Sequence, residues 1–264
     1  MDLKLKGKRA LVSGSTAGIG LAIAAALAEE GARVTVNGRT QARVDEALRA
    51  IKERLPQADV HGVAADLGTA EGCARVIAEV PDVDVLVNNL GIFAVKPFAE
   101  IGDDEWLRFM EVNVMSGVRL SRHYLPRMLA QNWGRVLFIS SESGLQIPVE
   151  MIHYGVTKTA QIGLSRGLAE MTRGSAVTVN AILAGPTKSE GVGDFIEGMA
   201  AQGGKTAADV ERDFFQTARP TSLLQRFATT EEVAALVAFV AGEPAAAVNG
   251  AALRVDGGVV RAIV

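Results

Sequence analysis

Short β-branched runs alternate with longer alanine-rich segments along almost the whole chain, and that rhythm limits its fold more than any other feature. Ala10-Leu11-Val12-Ser13, Arg33 to Asn37, Val60 to Ala64, Val83 to Asn88, Arg135 to Ser140, Val177 to Leu183 and Leu253 to Val255 read as strands, and the stretches between them as helices. Such alternation predicts a doubly wound parallel sheet with helices on both faces, whose ligands bind at the carboxyl ends of the strands. At 264 residues and 48% hydrophobic content the chain can bury a large core, and we read residues 1–264 as one domain. Two segments break the rhythm. Pro97 to Asp104 leads into a long helical run containing Asn113, and Lys188 to Pro220 carries Gly191, Gly193, Gly198, Gly203 and Gly204.

A formal net charge of −3 gives no general pull toward nucleic acid or an anionic membrane surface. Cys73 is the only cysteine, so no internal disulfide forms, and Met1 to Lys6 lacks the apolar core of a signal peptide, which together point to the cytoplasm. The apolar stretch Val233 to Ala241 falls short of the roughly 20 residues a bilayer span needs. His61, His123 and His153 show no zinc-like spacing and no second soft ligand exists, so no metal is expected.

Gly14-Ser15-Thr16-Ala17-Gly18-Ile19-Gly20 follows the first strand directly and opens the helical run Leu21 to Glu30. A strand, a glycine loop and a helix start turn bare amides and the positive helix end toward an anion, and a dinucleotide pyrophosphate fits there. Its spacing is G-x-x-x-G-x-G rather than G-x-G-x-x-G. Further on, Tyr154 and Lys158 stand four residues apart, with Ser141 thirteen positions before the tyrosine. Residues i and i+4 share a helix face. The lysine is therefore expected to lower the phenol from its usual pKa near ~10 and make it a proton donor and acceptor near neutral pH.

These residues, with Asn88-Asn89-Leu90-Gly91 after the fourth strand and Asn113, make the chain resemble the short-chain dehydrogenase/reductase family from Lys8 to about Val259. The match includes Asp66-Leu67, Ile139-Ser140-Ser141, Asn180 to Pro186 and Val255-Asp256-Gly257-Gly258. Leu90 stands where the family usually has alanine, and Ala184 where it usually has proline. The resemblance implies a Rossmann-type fold and a catalytic set of Asn113, Ser141, Tyr154 and Lys158. Tyr154 would exchange the proton with the substrate oxygen, Ser141 would hold that oxygen, Lys158 would bond the nicotinamide ribose, and Asn113 would hold a water linking Lys158 to solvent. Cofactor contacts are implied for Gly14, Ser15, Thr16, Gly18, Ile19, Gly20, Asn88, Asn89, Gly91, Tyr154, Lys158 and Gly185, with Asp66 and Leu67 at the adenine and Thr187 and Ser189 at the carboxamide.

The second strand ends in Asn37-Gly38-Arg39-Thr40, with no acid to bond an adenosine ribose diol. By resemblance Gly38 takes the usual acidic position and Arg39 follows it, where a guanidinium can grip a 2′-phosphate. NADP(H) is the expected cofactor and NAD(H) the alternative, since Ala17 replaces a basic residue often seen in NADP-dependent relatives. Residues 188–220 read as a substrate lid, with Phe195, Ile196, Met199, Phe214 and Phe215 either lining the cleft or packing the lid itself. Glu142 and Gln146 either face solvent or line the cleft, and His153 is read as structural. Val156, Ala160, Gly163 and Gly167 form a small-residue stripe about 200° around the helix from Tyr154, which predicts a close approach by the chain's own sheet or by a second subunit. Family members are commonly tetramers, so a homotetramer or homodimer is expected. The sequence thus predicts a carbonyl reductase or alcohol dehydrogenase acting on a small molecule. Its alternatives are an idle NADP(H)-binding sensor or scaffold, and an NAD(H)-dependent alcohol or polyol dehydrogenase. A 3-oxoacyl thioester, a cyclic ketone, a sugar or polyol and a steroid all remain open as substrates.

Overall fold

The computed structural model describes residues 1–190, 192–193 and 206–263. Its strands are β1 (Arg9–Val12), β2 (Arg33–Gly38), β3 (Val60–Ala64), β4 (Val85–Asn88), β5 (Gly134–Ser141), β6 (Val177–Ala184) and β7 (Ala252–Val255). All pair in parallel, in the order β3-β2-β1-β4-β5-β6-β7. The chain winds outward from β1 to β3, then returns to β4 on the other side of β1. That reversal opens a crevice at the carboxyl ends of β1 and β4, where such sheets take ligands.

The intervening helices are α1 (Gly18–Glu29), α2 (Gln41–Arg54), α3 (Ala70–Glu79), α4 (Asp103–Met110), α5 (Ser116–Ala130), α6 (Ile152–Glu170), α7 (Ala207–Thr217) and α8 (Thr230–Ala241). Side chains of a strand alternate between faces, so Ala10 and Val12 pack with Ile23, Leu27, Ile51 and Val237 while Leu11 packs with Val76, Leu120 and Tyr124. Helices therefore cover both faces of the sheet, as the strand and helix rhythm predicts. Threonine caps start α2, α3, α7 and α8, the last two through reciprocal pairs with Asp209 and Glu232. At α1 the cap position is Ala17, which offers no side-chain acceptor, so the first amides stay available to a ligand.

Three details differ from the sequence expectation. β4 begins at Val85, because Asp84 ahead of it turns its carboxylate onto the Arg9 main-chain amide and guanidinium. β5 and β6 each run one residue further than the β-branched runs, to Ser141 and Ala184, paired in register, with Ser141 at the strand end as its motif implies. The helical run holding Asn113 contains a π turn, Glu111–Met115, between α4 and α5. Of the lid residues, Phe214 and Phe215 pack with Phe227 at centroid separations of 5.0 and 5.1 Å, forming their own aromatic cluster with Val210. Phe195, Ile196, Met199, Gly191, Gly198, Gly203 and Gly204 lie outside the described residues.

Candidate active site

Ser141, at the end of β5, and Tyr154 and Lys158, on the first turns of α6, meet at the carboxyl edge of the sheet. Lys158 is buried, and its Nζ donates to the main-chain oxygen of Ile139 at 2.8 Å and to Gln161 Oε1 at 3.2 Å. Burial pulls its pKa down from 10.5 to about 8. The ammonium lies 5.6 Å from the centroid of the Tyr154 ring.

Tyr154 does not behave as the lysine spacing predicts. Its pKa is raised, first by burial and then by the carboxylate of Glu142, with a hydrogen bond from Ser141 and the charge of Arg219 opposing. Part of its surface reaches solvent, so burial acts less on it than on a fully enclosed phenol. Two of the three Lys158 donors go to Ile139 and Gln161, and among the described residues none of them bonds the phenol.

Asn113 is 1% exposed and fully engaged by protein groups. Its Oδ1 accepts from the Ile92 amide at 2.8 Å, and its Nδ2 donates to Ile92 O at 3.0 Å and to Thr157 Oγ1 at 2.9 Å. Its main-chain carbonyl, within the π turn, accepts from Gln161 Nε2. Gln161 thus bridges Lys158 and the Asn113 main chain. Gln161 was not anticipated. It sits three residues after Lys158 on the same helix face, which was the available signal.

The glycine loop has the form of an anion cradle. Gly14 and Gly18 adopt φ of +59° and +56°, conformations that favour glycine, and a Cβ on Gly20 would fall 2.4 Å from Asn89 Nδ2 and 2.5 Å from Gly14 O. Ser15 Oγ donates to Val12 O at 2.6 Å and accepts from the Asn37 amide at 3.0 Å, while Asn37 Oδ1 accepts from the Gly14 amide at 3.2 Å. Asn37, also unanticipated, thus ties the loop to β2. Thr16 lies against Gly38, and Ile19 packs on the core. Asn89 Nδ2 donates to the carbonyls of Ser13 and Gly14, both at 2.9 Å, and Leu90 closes over Gly14.

The remaining expected contacts line the same edge. Arg39 is exposed, and none of its nitrogens has a partner among the described residues. Nearby Arg43, by contrast, is paired with Glu46 and Glu190. Asp66 follows β3 with its carboxylate on the Gly68 amide at 2.9 Å, and Leu67 is buried beneath it. Asn88 is buried, with Nδ2 donating to Ser121 Oγ and Oδ1 unpartnered among the described residues. A Cβ on Gly91 would stand 3.4 Å from Lys158 Nζ. Gly185 is pressed against the main chain of Asp256, Thr187 donates to Gly185 O at 2.9 Å, and Ser189 faces Gly18. Ala184, at the usual proline position, pairs with Val255 in β7.

Glu142 and Gln146 separate cleanly: Glu142 is 4% exposed and turned into the site, while Gln146 faces solvent. Arg219, unanticipated and 77 residues away, donates from Nε to Glu142 Oε1 at 3.0 Å. His153 is fully buried against Phe109, its ring 4.0 Å from that phenyl ring. A Cβ on Gly163 or Gly167 would meet nothing within 4 Å, so the chain's own sheet does not approach that stripe. Among the described residues no three His, Cys, Asp or Glu side chains could hold a metal ion, and no helix is long and apolar enough to cross a membrane.

Comparison with known proteins bears on the family and the fold. Residues 8–200 match the family model for short chain dehydrogenase. The uncharacterized oxidoreductase YvrD of Bacillus subtilis (strain 168) is 52% identical, covering 100% of both chains. The 3-oxoacyl-[acyl-carrier-protein] reductase FabG of Aquifex aeolicus (strain VF5) is 32% identical over 98% of this chain and 99% of its own. Among solved structures, L-sorbose reductase from Gluconobacter frateurii, complexed with NADPH and L-sorbose, superposes with a TM-score of 0.94 at 31% identity, covering 100% of both chains.

Proposed function

The chain belongs to the short-chain dehydrogenase/reductase family of oxidoreductases acting on CH-OH and C=O groups, and from that premise we propose that it is an NADP(H)-dependent enzyme interconverting a ketone and a secondary alcohol. One observation carries the reading: Ser141, Tyr154 and Lys158 converge beside an uncapped helix start and a glycine cradle, at the edge where β1 and β4 part.

When bound, a nicotinamide dinucleotide supplies or accepts the hydride. Gly14, Ser15, Thr16, Gly18, Ile19 and Gly20 would hold its pyrophosphate, and Arg39 its 2′-phosphate. Asp66 and Leu67 would hold the adenine, while Asn88, Asn89, Gly91, Gly185, Thr187 and Ser189 would line the nicotinamide end. Tyr154 gives its proton to the carbonyl oxygen in reduction and removes it in oxidation. The raised phenol pKa keeps Tyr154 protonated at neutral pH, the form that reduction requires. Ser141 holds that oxygen in line with the tyrosine. Lys158, whose ammonium has a third proton beyond those given to Ile139 and Gln161, would bond a ribose hydroxyl and stabilise the phenolate left behind.

The Arg39 guanidinium, unpaired among the described residues, and the NADPH complex of L-sorbose reductase support NADP(H) over NAD(H). That neighbour also makes a polyhydroxy ketone the first substrate class to test, with 3-oxoacyl thioesters second after the Aquifex relative. We further propose a cytoplasmic homo-oligomer built on one catalytic domain, residues 1–264. Turnover of a ketose, ketone and alcohol panel, followed through nicotinamide absorbance, tests the reading. Tight NADP(H) binding with no turnover on any member would favour an idle sensor instead.

A further inference from the structure

We propose that Glu142 and Arg219 act as a positioning pair for Ser141 and Tyr154: the carboxylate sets the direction of the Ser141 hydroxyl, and the guanidinium holds that carboxylate and offsets its charge. The proposal rests on the reading above, in which Ser141 and Tyr154 meet the substrate oxygen.

Glu142 and Arg219 are 4% and 9% exposed, so neither is a surface charge. Glu142 Oε2 accepts from Ser141 Oγ, from the Ser143 amide at 2.8 Å and from Ser143 Oγ at 3.1 Å. Its other oxygen takes Arg219 Nε at 3.0 Å. Arg219 Nη1 donates to Glu150 Oε1 at 3.2 Å and to Ala218 O at 2.8 Å, and the guanidinium lies 5.7 Å from the Phe214 ring centroid. One arginine thereby ties together three segments: the turn after β5, which carries Ser141, the turn before α6, which leads into Tyr154, and the chain after α7.

Physical chemistry gives this arrangement a consequence at the reacting groups. A buried carboxylate is costly unless paired, and the planar fork of arginine is suited to pairing it. Ser141 has one hydroxyl proton and two claimants for it, Glu142 and the phenol oxygen. While Tyr154 is neutral the proton rests on the Glu142 side. As Tyr154 gives up its own proton, phenolate draws the serine proton across. Among the described residues the charged groups around the phenol are Glu142 after β5, Arg219 after α7 and Lys158 on its own helix, with Glu150 reached through Arg219. Burial holds the proton on the phenol most strongly; on top of that Glu142 resists formation of phenolate and Arg219 favours it, so the pair adjusts how readily the tyrosine exchanges its proton.

Tyr124 and Tyr154 are the only tyrosines, so in a Tyr124→Phe background the ultraviolet difference signal of phenolate comes from Tyr154 alone. Rapid mixing of this protein into alkaline buffers reads that signal before unfolding. Glu142→Gln keeps the shape and an acceptor for Ser141 while removing the charge, and it should form phenolate at lower pH than the background protein. Arg219→Met leaves the carboxylate unopposed and should shift the midpoint upward, and the double variant should return toward background. Should Arg219→Met not fold, Arg219→Lys, which keeps the charge, should stay nearer the background than Glu142→Gln does. Coincident curves for Glu142→Gln and background would overturn the proposal, whatever the enzyme turns over. Because no substrate is present, an inactive wild type with opposite shifts in the two variants would keep the pair and refute only the oxidoreductase reading.

Discussion

Lys158 carries its ammonium 5.6 Å from the centre of the Tyr154 ring, yet the carbonyl of Ile139, not the phenol, receives its hydrogen bond at 2.8 Å. A cation so enclosed is held at a cost, and its pKa falls from 10.5 to about 8. For a base with a depressed pKa the unfolded chain binds more protons through that window, so stability from this group rises with pH between about 8 and 10.5 and the cost is greatest below it. Thermal unfolding of wild type and Lys158→Met without cofactor should show the wild type gaining on the variant as pH rises from 8 to 10.5. A constant difference would mean that the lysine titrates at its ordinary value when folded.

Arg39 stands exposed and unpaired among the described residues at the end of β2. Arg39→Ala should weaken NADP(H) about tenfold, the lower end for a charge-assisted contact because solvent screens it, and leave NAD(H) almost unchanged. Calorimetric titration of both cofactors reads the difference. Equal weakening of the two would make Arg39 a structural residue. Gly38→Asp is not a clean route to NAD(H), because a Cβ there would fall 2.3 Å from Thr16 Cγ2, so the Thr16 side chain would have to shift or be made smaller.

Gly163 and Gly167 leave open space where a Cβ would stand, on the exposed side of α6 beside Val156. A helix glycine costs up to about 1 kcal/mol relative to alanine, a cost that close approach of a second subunit would explain. Gly163→Leu should therefore break or loosen the assembly while the monomer keeps its helix content. Light scattering decides, and a wild-type monomer would remove the premise.

The local parts of this site were legible and the long-range parts were not. The glycine loop lies within one strand-to-helix turn, and the Tyr154 to Lys158 spacing within one helical turn, so sequence distance was a fair guide to spatial distance. Glu142 showed itself only as an acid beside Ser141. Its burial depends on Arg219, which no periodicity connects to it across 77 residues. The tyrosine failed the simple charge argument for the same reason: i, i+4 spacing brings the lysine near, but Ile139 on β5 decides where the ammonium points. Asn113 was singled out as a residue, while the π turn that contains it and the bond from Gln161 to its carbonyl left no mark in the sequence.

The central claim is that Tyr154 passes a proton while hydride moves, and steady-state turnover of a panel ketone or ketose with NADPH by wild type and Tyr154→Phe tests it most directly. The account predicts measurable wild-type turnover and a loss of about 10²- to 10⁴-fold in the variant, with NADPH affinity and melting temperature close to wild type. Near-normal turnover by Tyr154→Phe would contradict it and move the proton donor to another group.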